Sequence, residues 1–473
     1  MTPGLLEVLS THEVDTIHDT ALSVLEDVGM RIHSEAARRL VQLEAGGIWD
    51  ESTDLVRFPR ELVEDCLSLC PTTFRLVNAR GERATEVGEG RRPLFASGHN
   101  AVFVTDDGGR TRRPASKLDI EHFARLTQRL DNLDLVGVHA MPQDVDAEMS
   151  LAHAVHAIWR HCDKPLYFSP DHDRVMSVIV AMTQKLAGEE DLREYPCAVC
   201  QVSPTSPLQW EQGAADALML AVRAGLPLVV LPEPFCGVSA PISLAGTMVI
   251  HHAETLSGVV LANLARPNPP VIYGSAWTTF DMRAGNVTIG SPESMLLRIA
   301  GAQLARHCHL PYHAIGPDTD SQLVDYQSAT EKTSTAWAAV CGGVHVHVNS
   351  GMIGTGMTVA LDQLVLDDEL AGYMKRIADG IRVDRETLAY NAIRDVGPAG
   401  SFLTHDLTLA LMRSPEHWIP PLTRHPVFES WRRAGSLSLL DVARARCDEL
   451  LDRDSPAVID SALDQALGGL LPR

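Results

Sequence analysis

Aromatic side chains are scarce in this sequence of 473 residues, at 5% Phe, Tyr and Trp, so the few that fall close together carry more weight than usual. Basic residues are also short, 40 against 61 acidic, and the formal charge of -21 argues against nucleic acid or an anionic membrane as a partner. No apolar run approaches the roughly 18 residues that a membrane span requires. Met1 to Val28 lacks a basic segment followed by an apolar one, and the expected location is the cytoplasm. Nine cysteines, an odd number without framework spacing, fit reduced thiols rather than a disulfide scaffold. The one Cys-x-x-Cys, Cys197 to Cys200, sits in the apolar run Tyr195 to Val202 with no second such pair to complete four zinc ligands, and it reads as buried strand thiols. His307-Cys308-His309 ends a helical pattern before Leu310-Pro311, where the helix dipole favours histidine, and no tightly bound metal is expected. A Gly-rich turn from a first strand into a helix is missing as well, which removes the signature of a dinucleotide site.

What is present is alternation. Short apolar runs at 135–141, 165–169, 197–202, 227–231, 271–277, 311–315 and 344–349 read as strands. Amphipathic segments near 147–161, 174–186, 210–224, 244–265, 292–309 and 327–341 read as helices between them. Seven strands with intervening helices imply right-handed βαβ units and a parallel sheet. With an eighth strand at 393–397 or in an earlier segment, the expected fold is an α/β (β/α)8 barrel, an open doubly wound sheet being the runner-up. Residues 1–115, with a helical pattern over 12–43 and a hairpin over 98–113, would form a cap. Residues 116–400 would form the barrel and 401–473 a helical extension, and a barrel of this size is expected to self-associate.

The run Val344 to Gly351 is the most suggestive, since His345, His347 and Asn349 alternate with three valines. Period 2 puts the polar set on one face and the valines on the other. The expectation is that the valines meet the helices while His345, His347 and Asn349 point into the barrel. Sites in such barrels form at the C-terminal strand ends. That rule selects Tyr273, Trp277, Phe280, Asp281 and Arg283 after one strand, and Asp318, Asp320 and Gln327 after another. It also draws notice to Glu233-Pro234 and to Glu254.

These residues carry a resemblance. Asp318 to Ser321, Asp325 to Gln327, Glu331-Lys332, Gly342-Gly343, Asn349 to Met352 and Leu364 to Leu370 resemble the C-terminal core of the trimethylamine methyltransferase family. Upstream, Ala240 to Gly246, Ala253-Glu254, Tyr273 to Ser275, Asp281 to Arg283, Gly290 to Glu293, Asp106 and Arg112 to Pro114 are similar to it too. The resemblance covers most of the chain and implies a (β/α)8 barrel that moves a methyl group from an amine to the Co(I) corrinoid (cobalamin) of a partner protein. The archetypal trimethylamine enzymes hold a pyrrolysine in this region, whereas every position here is a standard residue. That departure points to the branch acting on quaternary amines such as glycine betaine, proline betaine or carnitine.

Chemistry agrees independently, because a quaternary ammonium leaves as a neutral tertiary amine without a general acid. The enzyme must then supply position and a dry site. Aromatic faces attract such a cation, and Trp277, Phe280, Tyr312, Tyr326 and Trp337 are candidates. His347, Asn349 and Asp320 are nominated as catalytic. Tyr273, Trp277, Phe280, Arg283, Asp318, Gln327, His345 and Gly351 are nominated as substrate-binding. Two rival readings are a metal-dependent hydrolase or lyase using His345, His347 and Asp318 or Asp320, and a non-catalytic binder of quaternary amines.

Overall fold

Eight short strands, each followed by a helix, account for the centre of the computed structural model, which describes residues 5–45, 48–50, 53–454 and 457–471. The strands are β1 (Leu94–Ser97), β2 (Val136–Gly137), β3 (Leu166–Phe168), β4 (Ala198–Val202), β5 (Leu228–Val230), β6 (Val271–Ser275), β7 (Tyr312–Ile315) and β8 (Val346–Ser350). The helices that follow them are α1 (Lys117–Gln128), α2 (Ser150–His161), α3 (Asp173–Ala187), α4 (Gln212–Ala224), α5 (Leu244–Ala265), α6 (Pro292–His307), α7 (Tyr326–Gly342) and α8 (Leu361–Ala378). All neighbouring pairs are parallel, in the order β1-β8-β7-β6-β5-β4-β3-β2. A bridge from Ala96 to Leu135, with Phe95 O accepting from Asp134 N at 2.7 Å and Leu135 N at 3.1 Å, joins the two ends into a (β/α)8 barrel.

The missing eighth strand is therefore β1, in the earlier segment, while Tyr390–Val396 is a helix. Barrel residues begin at Leu94, inside the stretch assigned to a cap, and α8 completes the ring at Ala378. The expected helical pattern over 12–43 is divided between helices Thr11–Ser23 and Glu35–Ala45, broken at Gly29. With helix Arg60–Leu69 they lie against α5. That contact explains why α5 is apolar on nearly every face: barrel on one side, N-terminal helices on the other.

Branched aliphatic side chains fill the lumen, as they do in barrels of this kind. Leu94, Ala96, Val199, Val229, Ile272, Ile315, Val346 and Val348 form one buried cluster, closed at the N-terminal end by Leu76 and Val87 of the hairpin Thr73–Val77/Ala84–Gly88. This reverses the faces expected for β8. Val346 and Val348 point inward, while His347 lies in register with helix-facing Ala314 and against Phe95. Period 2 separates two faces but does not say which one is inside, and both faces of β8 are buried.

The hairpin expected near 98–113 is present as Phe103–Thr105 against Arg113–Pro114. It belongs to the loop after β1 and continues into Thr358–Ala360 and Met352–Ile353 from the loop after β8, giving a four-stranded sheet beside the C-terminal mouth. Cys197 and Cys200 are buried, unlinked strand thiols, as read. Among the described residues no helix is long and apolar enough to cross a membrane.

Candidate active site at the barrel mouth

Polar groups that interrupt the apolar strands meet above the aliphatic layers. Tyr167 on β3 donates its hydroxyl to Gln201 Oε1 on β4 at 2.6 Å and lies 3.0 Å from His313 Nε2 on β7. The rings of Tyr167 and His313 are stacked with centroids 5.5 Å apart, and His99, just beyond β1, meets Tyr167 edge-on at 5.2 Å. Glu233 is two residues beyond lumen-facing Leu231 and close enough for its charge to raise the Tyr167 phenol further than burial alone.

Burial sets the protonation of this group. It pushes His99 down to about 4, against the opposing pull of the Asn349 and Gln201 side chains nearby, and drives His313 well below the usual range. Both imidazoles are neutral at physiological pH. Glu233 is exposed at the rim, and the water displaced by the protein on its inner side pushes its carboxyl up, to about 7. The floor beneath is closed, with Tyr167 and His313 fully buried. An accessible carboxyl above an aromatic, uncharged floor can hold a cation and offers no strong acid.

Of the nominated residues, Asn349 reaches this group. It is the bulged residue of β8, at φ +131°, where the register to β1 shifts between Val348 and Ser350. Its Nδ2 donates to Asp318 Oδ1 at 2.8 Å, while its Oδ1 has no partner among the described residues. Asp318 is paired in turn with Arg298 of α6, and both are almost wholly buried, so Asp318 orients Asn349 from behind.

The other nominees lie elsewhere. His347 faces the helices, with Nδ1 3.0 Å from Ala314 O and its ring against Gly316. His345 accepts from Tyr312 N at 2.8 Å and lines a cavity of about 590 Å³ at the opposite, N-terminal end of the barrel. Tyr273 and Trp277 face α5 and α6, where Tyr273 OH meets His252 and Trp277 lies on His251. Phe280 and Arg283 belong to the hairpin Thr279–Asp281/Asn286–Thr288, and Arg283 is exposed. Asp320 accepts from Ile289 N and Gly290 N, both at 3.0 Å, and ties the loop after β6 to the loop after β7. Gln327 is exposed and bonded to Glu331, and Gly351 donates its N–H to Asp367. Glu254 accepts from Ser206 Oγ and Leu208 N and holds the loop after β4.

Tyr167, Gln201 and His313 went unnominated, although a polar residue inside an apolar strand run was the signal to follow, and His99, in the loop after β1, carried no such signal. Gly316, at φ +130°, stands where any Cβ would fall 2.4 Å from His347 Cε1. Gly316→Ala is expected to cost on the order of 2 kcal/mol by chemical denaturation, from backbone strain plus the clash. An unchanged midpoint would show that His347 moves aside freely.

The fold and the mouth define a class: a (β/α)8 barrel with a polar site built around Tyr167 at the C-terminal strand ends. Residues 2–472 match the trimethylamine methyltransferase (MTTB) family, and the chain belongs to it as a methyltransferase. Trimethylamine methyltransferase MttB of Desulfitobacterium hafniense is 30% identical over 463 residues, covering 98% of this chain and 92% of that one. The glycine betaine methyltransferase of another strain of that species is 30% identical, with 97% and 95% covered. MttB of Methanosarcina barkeri is 31% identical over 484 residues, with 98% and 97% covered. Among solved structures, the M. barkeri monomethylamine methyltransferase MtmB aligns at TM-score 0.49 and 12% identity over 95% of this chain and 90% of that one, so the barrel assignment rests on the strand pairing alone.

Proposed function

We propose that this protein is a cytoplasmic methyltransferase that takes a methyl group from a quaternary amine and delivers it to the Co(I) corrinoid of a separate protein. The observation that carries the reading is the mouth itself: the ring of Tyr167 between neutral His99 and His313, with the Glu233 carboxyl near enough for its charge to act on the phenol. A quaternary ammonium is attracted by a carboxylate and by aromatic faces, and it has no N–H to satisfy. The corrinoid, carried by the partner, supplies the electron pair that accepts the methyl group. This chain's residues hold the N-methyl carbon toward the open mouth, exclude water from below and turn Asn349 toward the substrate's polar end. Glycine betaine and its relatives fit because neutral His99, with Nδ1 free of a partner among the described residues, can donate to a carboxylate, whereas the Asn349 Oδ1 can only accept.

The hydrolase reading loses its ligands, since His345, His347, Asp318 and Asp320 have separate partners and do not converge. The test is to mix the protein with Co(I) cobalamin and glycine betaine, proline betaine, carnitine, choline or trimethylamine, and to follow methylcobalamin by absorbance. Reaction with one quaternary amine is expected. Reaction with trimethylamine alone would sink the proposal, and tight binding without transfer to free cobalamin or any corrinoid protein would favour the non-catalytic binder.

Self-association belongs to the same reading. In the stretch between α8 and helix Leu439–Asp452, Ile381, Tyr390, Leu403, Ile419 and Phe428 are between 62% and 82% exposed. Residues 381–440 carry seven Arg and six acidic side chains, a net +1 that leaves -22 on the rest of the chain. A second copy offers both an apolar surface and the acidic complement. Sedimentation should give an oligomer that Arg432→Glu/Arg433→Glu weakens, and a salt-independent monomer at micromolar concentration would refute it.

A further inference from the structure

Between α5 and the N-terminal helices, three side chains with metal-binding atoms converge from distant parts of the sequence. His18 comes from helix Thr11–Ser23, His252 from α5 and Cys308 from the residue that ends α6. One ligand atom from each lies within 4.8 Å of the others. His18 Nδ1 and His252 Nε2 are 2.8 Å apart, and the His307 ring meets His18 edge-on with centroids at 4.6 Å. No other such group of His, Cys, Asp and Glu occurs among the described residues.

We propose that His18, His252 and Cys308 bind one zinc(II) ion that fastens the N-terminal helix to the barrel. Two imidazole nitrogens and one sulfur form a donor set that zinc favours. Tetrahedral bonds of about 2.0–2.1 Å to nitrogen and about 2.3 Å to sulfur place donors roughly 3.3–3.6 Å apart, so adjustments of roughly 1 Å or less complete the site. His252 is already oriented for it. Its Nδ1 lies 2.9 Å from the Tyr273 hydroxyl, which also meets His251 Nδ1 at 3.3 Å. When His252 Nδ1–H donates to the phenol oxygen and the phenol donates to His251, the His252 Nε2 lone pair faces His18 and the metal. Such an outer partner fixes the tautomer of a ligating histidine.

Metal binding releases one proton from the Cys308 thiol as its sulfur–zinc bond forms, with no change of oxidation state. The fourth position falls to water, since the His307 Nδ1 faces Asp15. This site is separate from the mouth and does not depend on the methyl-transfer reading.

The test uses the full chain purified in reducing buffer without chelators. Elemental analysis should find one zinc per chain. Metal-stripped protein titrated with Co(II) should show a near-ultraviolet sulfur-to-cobalt charge-transfer band and release one proton per metal, read with a pH indicator. Cys308→Ser should abolish the band, and His18→Asn, on the partly exposed N-terminal helix, should weaken binding at least tenfold. Absence of zinc together with absence of the band in the unsubstituted protein overturns the proposal, as does a band that survives Cys308→Ser.

Discussion

Glu233→Gln is expected to weaken binding of the reactive quaternary amine at least tenfold, a loss of about 1.4 kcal/mol or more, while leaving the fold intact. Glu233 is the carboxylate whose charge acts on the Tyr167 phenol, and glutamine keeps its shape without its charge. The pH dependence supplies the sharper test. Loss of water on the inner side raises the Glu233 carboxyl to about 7, so below that pH the free site holds mostly the neutral acid, and binding a cation must expel the proton. Affinity of the unsubstituted protein should rise with pH through about 7 and level off above it, and calorimetry should detect proton release on the acid side. Glu233→Gln should be flat across the same range. Its thermal midpoint should be unchanged, because Glu233 is exposed. Activity that falls as pH rises through 7 would instead mark Glu233 as a general acid, and the quaternary-amine reading would fail.

Asp318→Ala should destabilise the protein by about 3–5 kcal/mol. Asp318 and Arg298 are 2% and 1% exposed, and the guanidinium also donates from Nε to Ile315 O at 3.0 Å and from Nη2 to Ile289 O at 3.2 Å. Those carbonyls do not neutralise it. Removing the carboxylate leaves a buried positive charge, which costs far more than the pair contributes net. The same change frees Asn349 Nδ2 from its partner, so the mouth loses its orientation along with the fold's stability. Urea unfolding should show a lower midpoint. Pairing Asp318→Leu with Arg298→Met should cost less than Asp318→Ala alone, since no buried charge remains. A shift under about 1 kcal/mol for the single change would refute the account.

Much of the architecture was legible along the chain, and the reasons are local. The runs at 135–141, 165–169, 197–202, 227–231 and 271–277 are apolar on both faces because helices cover one side and the lumen the other. Each is bounded by residues that start a loop or helix. β1 escaped notice because its four residues follow Arg91-Arg92-Pro93 and stand between two hairpins, where four residues are too few to display a period. The site was harder to read. His345 and His347 drew attention by alternating with valine, yet the valines were the lumen residues. Asn349 reached the mouth through the bulge after Val348, a feature that no period reveals.

By itself, the sequence determined the class of fold, because the succession of apolar runs and amphipathic segments admits few topologies and right-handed βαβ units close naturally into a barrel. It also determined the family, through short motifs distributed over most of its length. Tertiary structure alone decided which face of each strand lines the lumen. It also decided that Tyr167, Gln201, Glu233 and His313, scattered over three barrel units and more, stand together. The physical reason is the same in both cases. A strand's period is a property of neighbours along the chain, whereas inside and outside, and the company a buried polar group keeps, exist only once the sheet has closed.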